Sequence, residues 1–230
     1  MKERPILFTG SMVRALLDGR KTQTRRLVKP QPRDSERYDG HILSSTDKKE
    51  VGKWQWVNGE LPHYKSQTLA RCPYGNVGDR LWVRETFFPV SQHKHEPRFA
   101  AVIPDFLYAA EYPREPARIV RPHHWKPSIF CTRAASRITL EVTAVRVERL
   151  HDMEGQAPYP GESDALAEGI HRIHHGDGAY YFHAFHSDPN PEDWSDPVDA
   201  YKELWESING AGSWALNPWV WVIEFRRVQS

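Results

Sequence analysis

Apolar residues recur along this chain with two different periods. Ser11 to Asp18 carries Met12, Val13, Leu16 and Leu17 at helical spacing, and Gly19 stands where a helix-ending glycine belongs. Pro5 to Phe8, just before it, reads as a short buried strand, and a basic strand is expected over about 21–28. In Arg80 to Phe87 the pattern alternates, with Leu81, Val83 and Glu85 on one face and Trp82, Arg84 and Thr86 on the other. Arg137 to Val147 is the clearest strand, with Ile138, Leu140, Val142 and Ala144 sharing a face. Ser163 to Gly169 reads as a short capped helix, and His171 to Asn190 as a polar, aromatic loop. Asp196 and Pro197 open the strongest helix, with Val198, Tyr201, Leu204, Trp205 and Ile208 on its apolar side and Asn209-Gly210 at its end. Trp219 to Phe225 closes the pattern as a strand.

Between these segments lie two long excursions, about 29–72 and 88–133. The first is full of turn formers and contains Lys53 to Glu60, read as one arm of a hairpin with Asn58-Gly59 as a tight turn. The second is rich in proline, histidine and aromatics, with a strand expected within Ala100 to Ala110. Strands outnumber helices, and the helices are short and interposed. The expected fold is therefore α+β: one domain over residues 1–230, built on a small, mostly antiparallel, curved sheet or barrel and decorated by the two insertions.

Composition narrows the function classes. The 230 residues carry a formal net charge of +1, which excludes a globally basic nucleic-acid coat and leaves room for a local basic groove. The two cysteines, Cys72 and Cys131, form no CxxC pair, so a disulfide framework and a four-cysteine zinc site are both unsupported; a reduced, cytoplasmic setting is expected. The N-terminal residues lack the apolar run of a signal peptide, and no stretch has the length of a membrane span. There is no P-loop, no GxGxxG and no GxSxG.

Charge concentrates in one place. From Arg20 to Lys29 the chain has five cations (Arg20, Lys21, Arg25, Arg26 and Lys29), no acid, and the hydroxyls of Thr22 and Thr24. One reading is a solvated edge strand whose cations discourage pairing with other sheets. The other is an active or binding site at the helix-to-strand junction. Lys21 and Thr24 are three apart, which in a regular strand puts them on opposite faces; a bend is needed for the lysine to act as base toward the threonine hydroxyl.

His171, His174, His175 and His183, with Asp177, form a histidine-rich patch. His171 and His175 have the spacing of a helical metal pair, but Gly176 and Gly178 argue against a helix, so the patch reads as a surface or phosphate-facing loop and no metal is expected. The adjacent His123 and His124 point apart on any regular element. Among the tryptophans, Trp54, Trp56, Trp125, Trp194, Trp214, Trp219 and Trp221 include candidate base-stacking platforms, whereas Trp205 reads as core.

Gly19-Arg20-Lys21-Thr22-Gln23-Thr24-Arg25 resembles the GRKTxTxR signature of the ASCH domain family. Val77 to Val83 resembles that family's GD-x-hydrophobic strand, Ile138 to Val147 its next strand, and Val222 to Phe225 its closing strand. The CPYG, GDRLWVRE and NPWVWVIEF runs look like the longer ASCH proteins of phages and prophages. The resemblance implies a PUA-like β-barrel with an RNA-facing cleft. It also implies a similarity to one small branch, the N4-acetylcytidine amidohydrolases. On that similarity Thr24 is the nucleophile, Lys21 the base and Glu168 the working carboxylate, with Glu85 the alternative. Arg20, Arg25, Arg26 and Glu85 would bind a nucleoside or single-stranded RNA, without cofactor or metal. Other ASCH proteins are linked to RNA binding or metal-assisted RNA cleavage; for these the cations would clamp phosphates. A phage accessory or structural protein is the third reading.

Overall fold

The computed structural model describes residues 1–59, 66–90, 105–112, 125–153 and 163–228. Among these residues the strands are β1 (Glu3–Leu7), β2 (Gln23–Leu27), β3 (Arg37–His41), β4 (Trp54–Asn58), β5 (Ser66–Ala70), β6 (Arg80–Arg84), β7 (Phe87–Pro89), β8 (Phe106–Tyr108), β9 (Thr139–Arg149), β10 (His171–His174), β11 (Tyr180–His183) and β12 (Trp219–Val228). The α-helices among them are α1 (Gly10–Leu17), α2 (Asp164–Ala167) and α3 (Pro197–Asn209). The protein is α+β. Its main sheet has the order β1-β6-β9-β12-β2 and is antiparallel except for the β1–β6 pair.

That sheet does not close into a barrel among the described residues, contrary to the sequence expectation. Its outermost strands, β1 and β2, are linked by a side chain: Arg26 of β2 donates Nη2–H to the Leu7 carbonyl at 2.8 Å. Its guanidinium also lies over the Phe8 ring, 5.4 Å from the centroid. Among the described residues no backbone ladder joins the two edges, so β2 keeps a free edge there.

Alternation explains which residues fill the core. Leu81, Val83 and Glu85 are buried along one face of β6 and its extension, as are Ile138, Leu140 and Val142 along β9. In β12 the run Val220, Trp221, Val222 and Ile223 is buried on both faces, because this strand lies between β9 and β2 with packing above and below. The first excursion folds as the antiparallel sheet β3-β4-β5 and docks through aromatics: Trp54 meets Trp221 edge-on at 5.6 Å, and Trp56 meets Trp219 at 5.7 Å. These contacts make Trp56 and Trp221 core rather than stacking platforms.

The helix ends follow their caps. Thr9 Oγ1 accepts from Met12 N at the start of α1, and Gly19, at φ +75°, turns the chain out of it. Asp196 Oδ1 accepts from Val198 N at 2.7 Å, with Pro197 in the first turn of α3. Ala200, Tyr201, Leu204 and Trp205 are buried as their spacing predicts, whereas Ile208, on the same stripe, is 42% exposed.

Two local expectations are corrected. Asn58 pairs with Ser66, so β4 and β5 are joined by residues 59–65 rather than by a two-residue turn. His171 to Asn190 is not simply a loop: β10 and β11 form an antiparallel hairpin, in which Ile173 is buried on one face and Phe182 on the other, two apolar positions that the many histidines and tyrosines obscured. The expected strand in Ala100 to Ala110 survives as β8, with 100–104 outside the described residues, as are His123 and His124. Both cysteines are buried free thiols. Among the described residues no helix is long and apolar enough to cross a membrane.

Candidate active site

The cationic junction folds back on α2. Arg20 N and Lys21 N both donate to Ala15 O, which caps α1, and Thr22 N donates to Ala167 O at 2.8 Å. The latter bond brings the start of β2 against the end of α2. The fit depends on Gly169, which has φ +101°; a Cβ there would sit 2.8 Å from Ala15 Cβ and 3.3 Å from Lys21 Cβ. A Gly169→Ala variant is therefore expected to lose about 1–3 kcal/mol or more of stability in urea unfolding, because both the φ and the contact oppose the methyl group.

The close approach sets Glu168 beside Lys21. Lys21 Nζ donates to Glu168 Oε2 at 2.8 Å and to the Glu168 carbonyl at 2.7 Å, and both side chains are almost wholly buried. Burial pulls the Lys21 ammonium below its ordinary pKa, against the opposing attraction of Glu168. The other carboxylate oxygen, Oε1, accepts from Arg25 Nη1 at 3.3 Å.

Arg25 has no exposed side-chain surface. Its Nε and Nη2 reach Glu148 Oε1 at 3.1 and 2.5 Å, and Nη2 also reaches Asp164 Oδ2 at 2.6 Å. Four of its five N–H groups thus go to three carboxylates. Arg146 extends the network to Glu148, Asp164 and Glu224. Those carboxylates hold the Arg25 guanidinium more firmly charged than usual. Arg25 is consequently the internal cation of a buried cluster rather than a hand extended to substrate.

A cavity of about 430 Å³ borders this cluster. Four consecutive β2 residues, Thr24, Arg25, Arg26 and Leu27, line it. Consecutive strand residues face opposite ways, so the cavity runs along the free edge of β2 rather than over one face. Glu168 and Tyr201 also line it, with Trp205, Trp221 and Tyr74 as aromatic walls and the exposed cations Lys29 and Arg71 beside them. Burial and the nearby Glu168 push the Tyr201 phenol well above its ordinary pKa, so it stays a donor.

Among the described residues two buried polar atoms in this wall have no hydrogen-bond partner: the Thr24 hydroxyl and the Trp205 indole N–H. A buried polar group left unpaired costs about 1–3 kcal/mol. Two of them on one cavity make it the candidate site for a polar ligand. No hydrogen bond joins Lys21 to Thr24. Against protein-family models, curated proteins and solved structures alike, the chain returned no match.

The remaining expected site residues lie elsewhere. Arg20 turns away from this cavity: it donates to the Gly169 carbonyl at 2.6 Å, pairs with Asp18 at 3.0 Å, and approaches His171 Nε2 at 3.5 Å. Burial and Arg20 push His171 down to about 4, so it is neutral near pH 7. Glu85 is buried against Arg137, at 3.0 and 3.1 Å, and does not line the cavity. Burial raises its pKa despite that arginine.

Glu148, Asp164, Tyr201 and the Trp205 N–H were not singled out from the sequence. Simple alternation would put Glu148 on the face of Ile138, Leu140 and Val142, but the register shift at Thr143 moves Ala144, Arg146 and Glu148 to the other face, so the alternation carried no signal for Glu148.

Proposed function

We propose that the chain is an ASCH-type, PUA-like domain that hydrolyses the amide of an N4-acetylated cytidine or a related modified pyrimidine. The observation that carries this reading is the unpartnered, buried Thr24 hydroxyl on a cavity whose wall also contains Glu168. Thr24 Oγ attacks the acetyl carbonyl and gives up its proton. The C–N bond breaks as the cytosine amine takes a proton, and water then releases acetate from the acyl-threonine. The Trp205 N–H is a donor for a substrate oxygen, and Tyr74 is an aromatic surface for the base.

Lys21 fits the role of base. A neutral amine has two N–H donors and one lone pair, and Glu168 supplies two acceptors. The lone pair is then left to receive a proton, which passes from Thr24 across the bound substrate or a water. Thr24 has no exposed surface, so the cavity floor opens when substrate enters. The pH dependence follows. Protonated Lys21 is inactive, so kcat/KM rises with pH through a value below the ordinary lysine pKa. Glu168 raises that value; Glu168→Gln is therefore expected to shift the limb to lower pH while reducing the maximum rate.

A second reading rests on Arg26, Lys29 and Arg71 beside the same cavity, which suit phosphates of a single-stranded RNA. The two are separated by incubating the protein with N4-acetylcytidine and with a labelled RNA oligomer, with and without a divalent metal. Equal amounts of cytidine and acetate, formed without metal and without chain cleavage, are expected. Chain cleavage with no cytidine would replace the hydrolase reading by the second.

A further inference from the structure

We propose that His183, His186 and Asp193 form a site for a divalent transition-metal ion of the zinc type, which pins the segment between β11 and α3. Each of the three offers a donor atom within 4.8 Å of the other two. The His183 and His186 rings stack, with centroids 3.6 Å apart.

The hydrogen bonding around His186 and Asp193 calls for a cation. His186 Nδ1 lies 3.0 Å from the Asp188 carbonyl oxygen. A carbonyl only accepts, so Nδ1 carries the hydrogen, and in the neutral ring the lone pair is on Nε2. That Nε2 faces Asp193 Oδ1 at 3.5 Å. Oδ1 has no hydrogen-bond partner, and the Asp193 side chain has 0% exposure. Two acceptors thus face each other, the carboxylate covered and the imidazole partly exposed, and a metal ion between them satisfies both.

Neighbouring contacts have the form of outer supports for metal ligands. Asp193 Oδ2 accepts from His175 Nε2 at 2.7 Å and from Asn190 N at 2.9 Å, which fixes the carboxylate with Oδ1 free. His183 is the third ligand. Its Nδ1 now accepts from Phe185 N at 3.0 Å; ligation through Nε2 moves the ring proton to Nδ1 and gives up that bond.

Two imidazoles and one carboxylate suit Zn²⁺, Co²⁺ or Ni²⁺ better than Mg²⁺ or Ca²⁺, and three protein ligands leave a position for solvent. None of the three residues lines the β2-edge cavity, so the inference stands apart from the proposed hydrolysis. Its consequence is structural: one ion ties the end of β11 to the turn before α3, and binding to the folded state alone raises its stability.

The test is titration of the metal-stripped full-length protein with Co²⁺, read by visible absorption, and with Zn²⁺, read by melting temperature. One equivalent of Co²⁺ is expected to bind with the intense bands of a low-coordinate ion, and Zn²⁺ to raise the melting temperature where Mg²⁺ does not. Losing the outer partner in His175→Phe should weaken binding about 10–100-fold, and losing a ligand in Asp193→Asn or His186→Ala should weaken it more. His41→Ala, an exposed histidine elsewhere, should leave it unchanged. His186 is partly exposed, so its variant reports even where the Asp193 variant folds poorly. Absence of saturable Co²⁺ binding would overturn the proposal and leave an imidazolium–carboxylate ion pair. Binding unaltered in His186→Ala would overturn it too.

Discussion

Thr24→Val is expected to reduce hydrolysis of N4-acetylcytidine by about a thousandfold or more while leaving the protein as stable as before or more so. Removal of a nucleophile on which the other groups act costs most of the rate. Valine keeps the shape and β-branching that suit β2, and its methyl group replaces a hydroxyl that makes no hydrogen bond. Relief of an unpaired buried hydroxyl is worth about 1 kcal/mol, seen as a small rise in the urea midpoint at unchanged m-value. Loss of rate with gained stability marks a residue kept for chemistry. Unchanged rate would remove Thr24 from the mechanism, and a large loss of stability would show that its hydroxyl has a structural partner. Under the RNA-binding reading, affinity for a labelled oligomer stays the same in this variant, since the cations are untouched.

Arg25→Met is expected to destabilise the fold by about 3–5 kcal/mol, a fall in melting temperature of roughly 6–20 °C for a chain of this size. The guanidinium alone joins Glu148, Asp164 and Glu168. Without it three carboxylates are left close together; Glu148 and Asp164 keep Arg146, and Asp164 also accepts from Gln23 Nε2. Arg25→Lys should restore little, because a point ammonium cannot reproduce four bonds spread over a planar fork. Arg26→Met makes the contrast. Its guanidinium gives one hydrogen bond, to Leu7, and about 1 kcal/mol is at stake. If the two variants lost equal stability, the distinction between an internal cation and a cavity-side one would fail.

The strands were legible wherever one face is apolar and the other polar, as with Leu81 and Val83 or Ile138, Leu140 and Val142. The caps of α2 and α3 were legible too, because Ser163 and Asp196 accept from backbone N–H groups two residues on, and Pro197 acts through its own fixed φ. What depends on distant partners was not. The parallel pairing of β1 with β6 leaves no mark on either segment, and the openness of the sheet follows from how its edges meet. The β10–β11 hairpin was obscured because His171, His174, Tyr180 and His183 look like loop residues, and its two buried apolar residues, Ile173 and Phe182, lie on opposite faces and leave no one-sided pattern.

The candidate site divides the same way. The cations and Thr24 stood out as a local concentration of charge, and the placing of Glu168 came from a resemblance rather than from spacing. Its position against Lys21 requires contact across 147 positions, and Glu148 and Asp164 reach Arg25 across 123 and 139. Arg25 illustrates the limit. By composition it belongs with Arg26 as a candidate for substrate; alternation along β2 and three distant carboxylates make it an internal tie. The histidine-rich stretch shows the reverse: no regular spacing joins His183, His186 and Asp193, and the antiparallel bridge of Phe182 with Trp194 brings Asp193 beside the end of β11.

The most direct measurement is the conversion of free N4-acetylcytidine to cytidine by the wild-type protein, with Lys21→Met and Thr24→Val assayed beside it under the same conditions. Metal-independent turnover that both substitutions remove is expected. No turnover by a folded wild-type protein, or turnover that survives in Thr24→Val, would overturn the hydrolase reading.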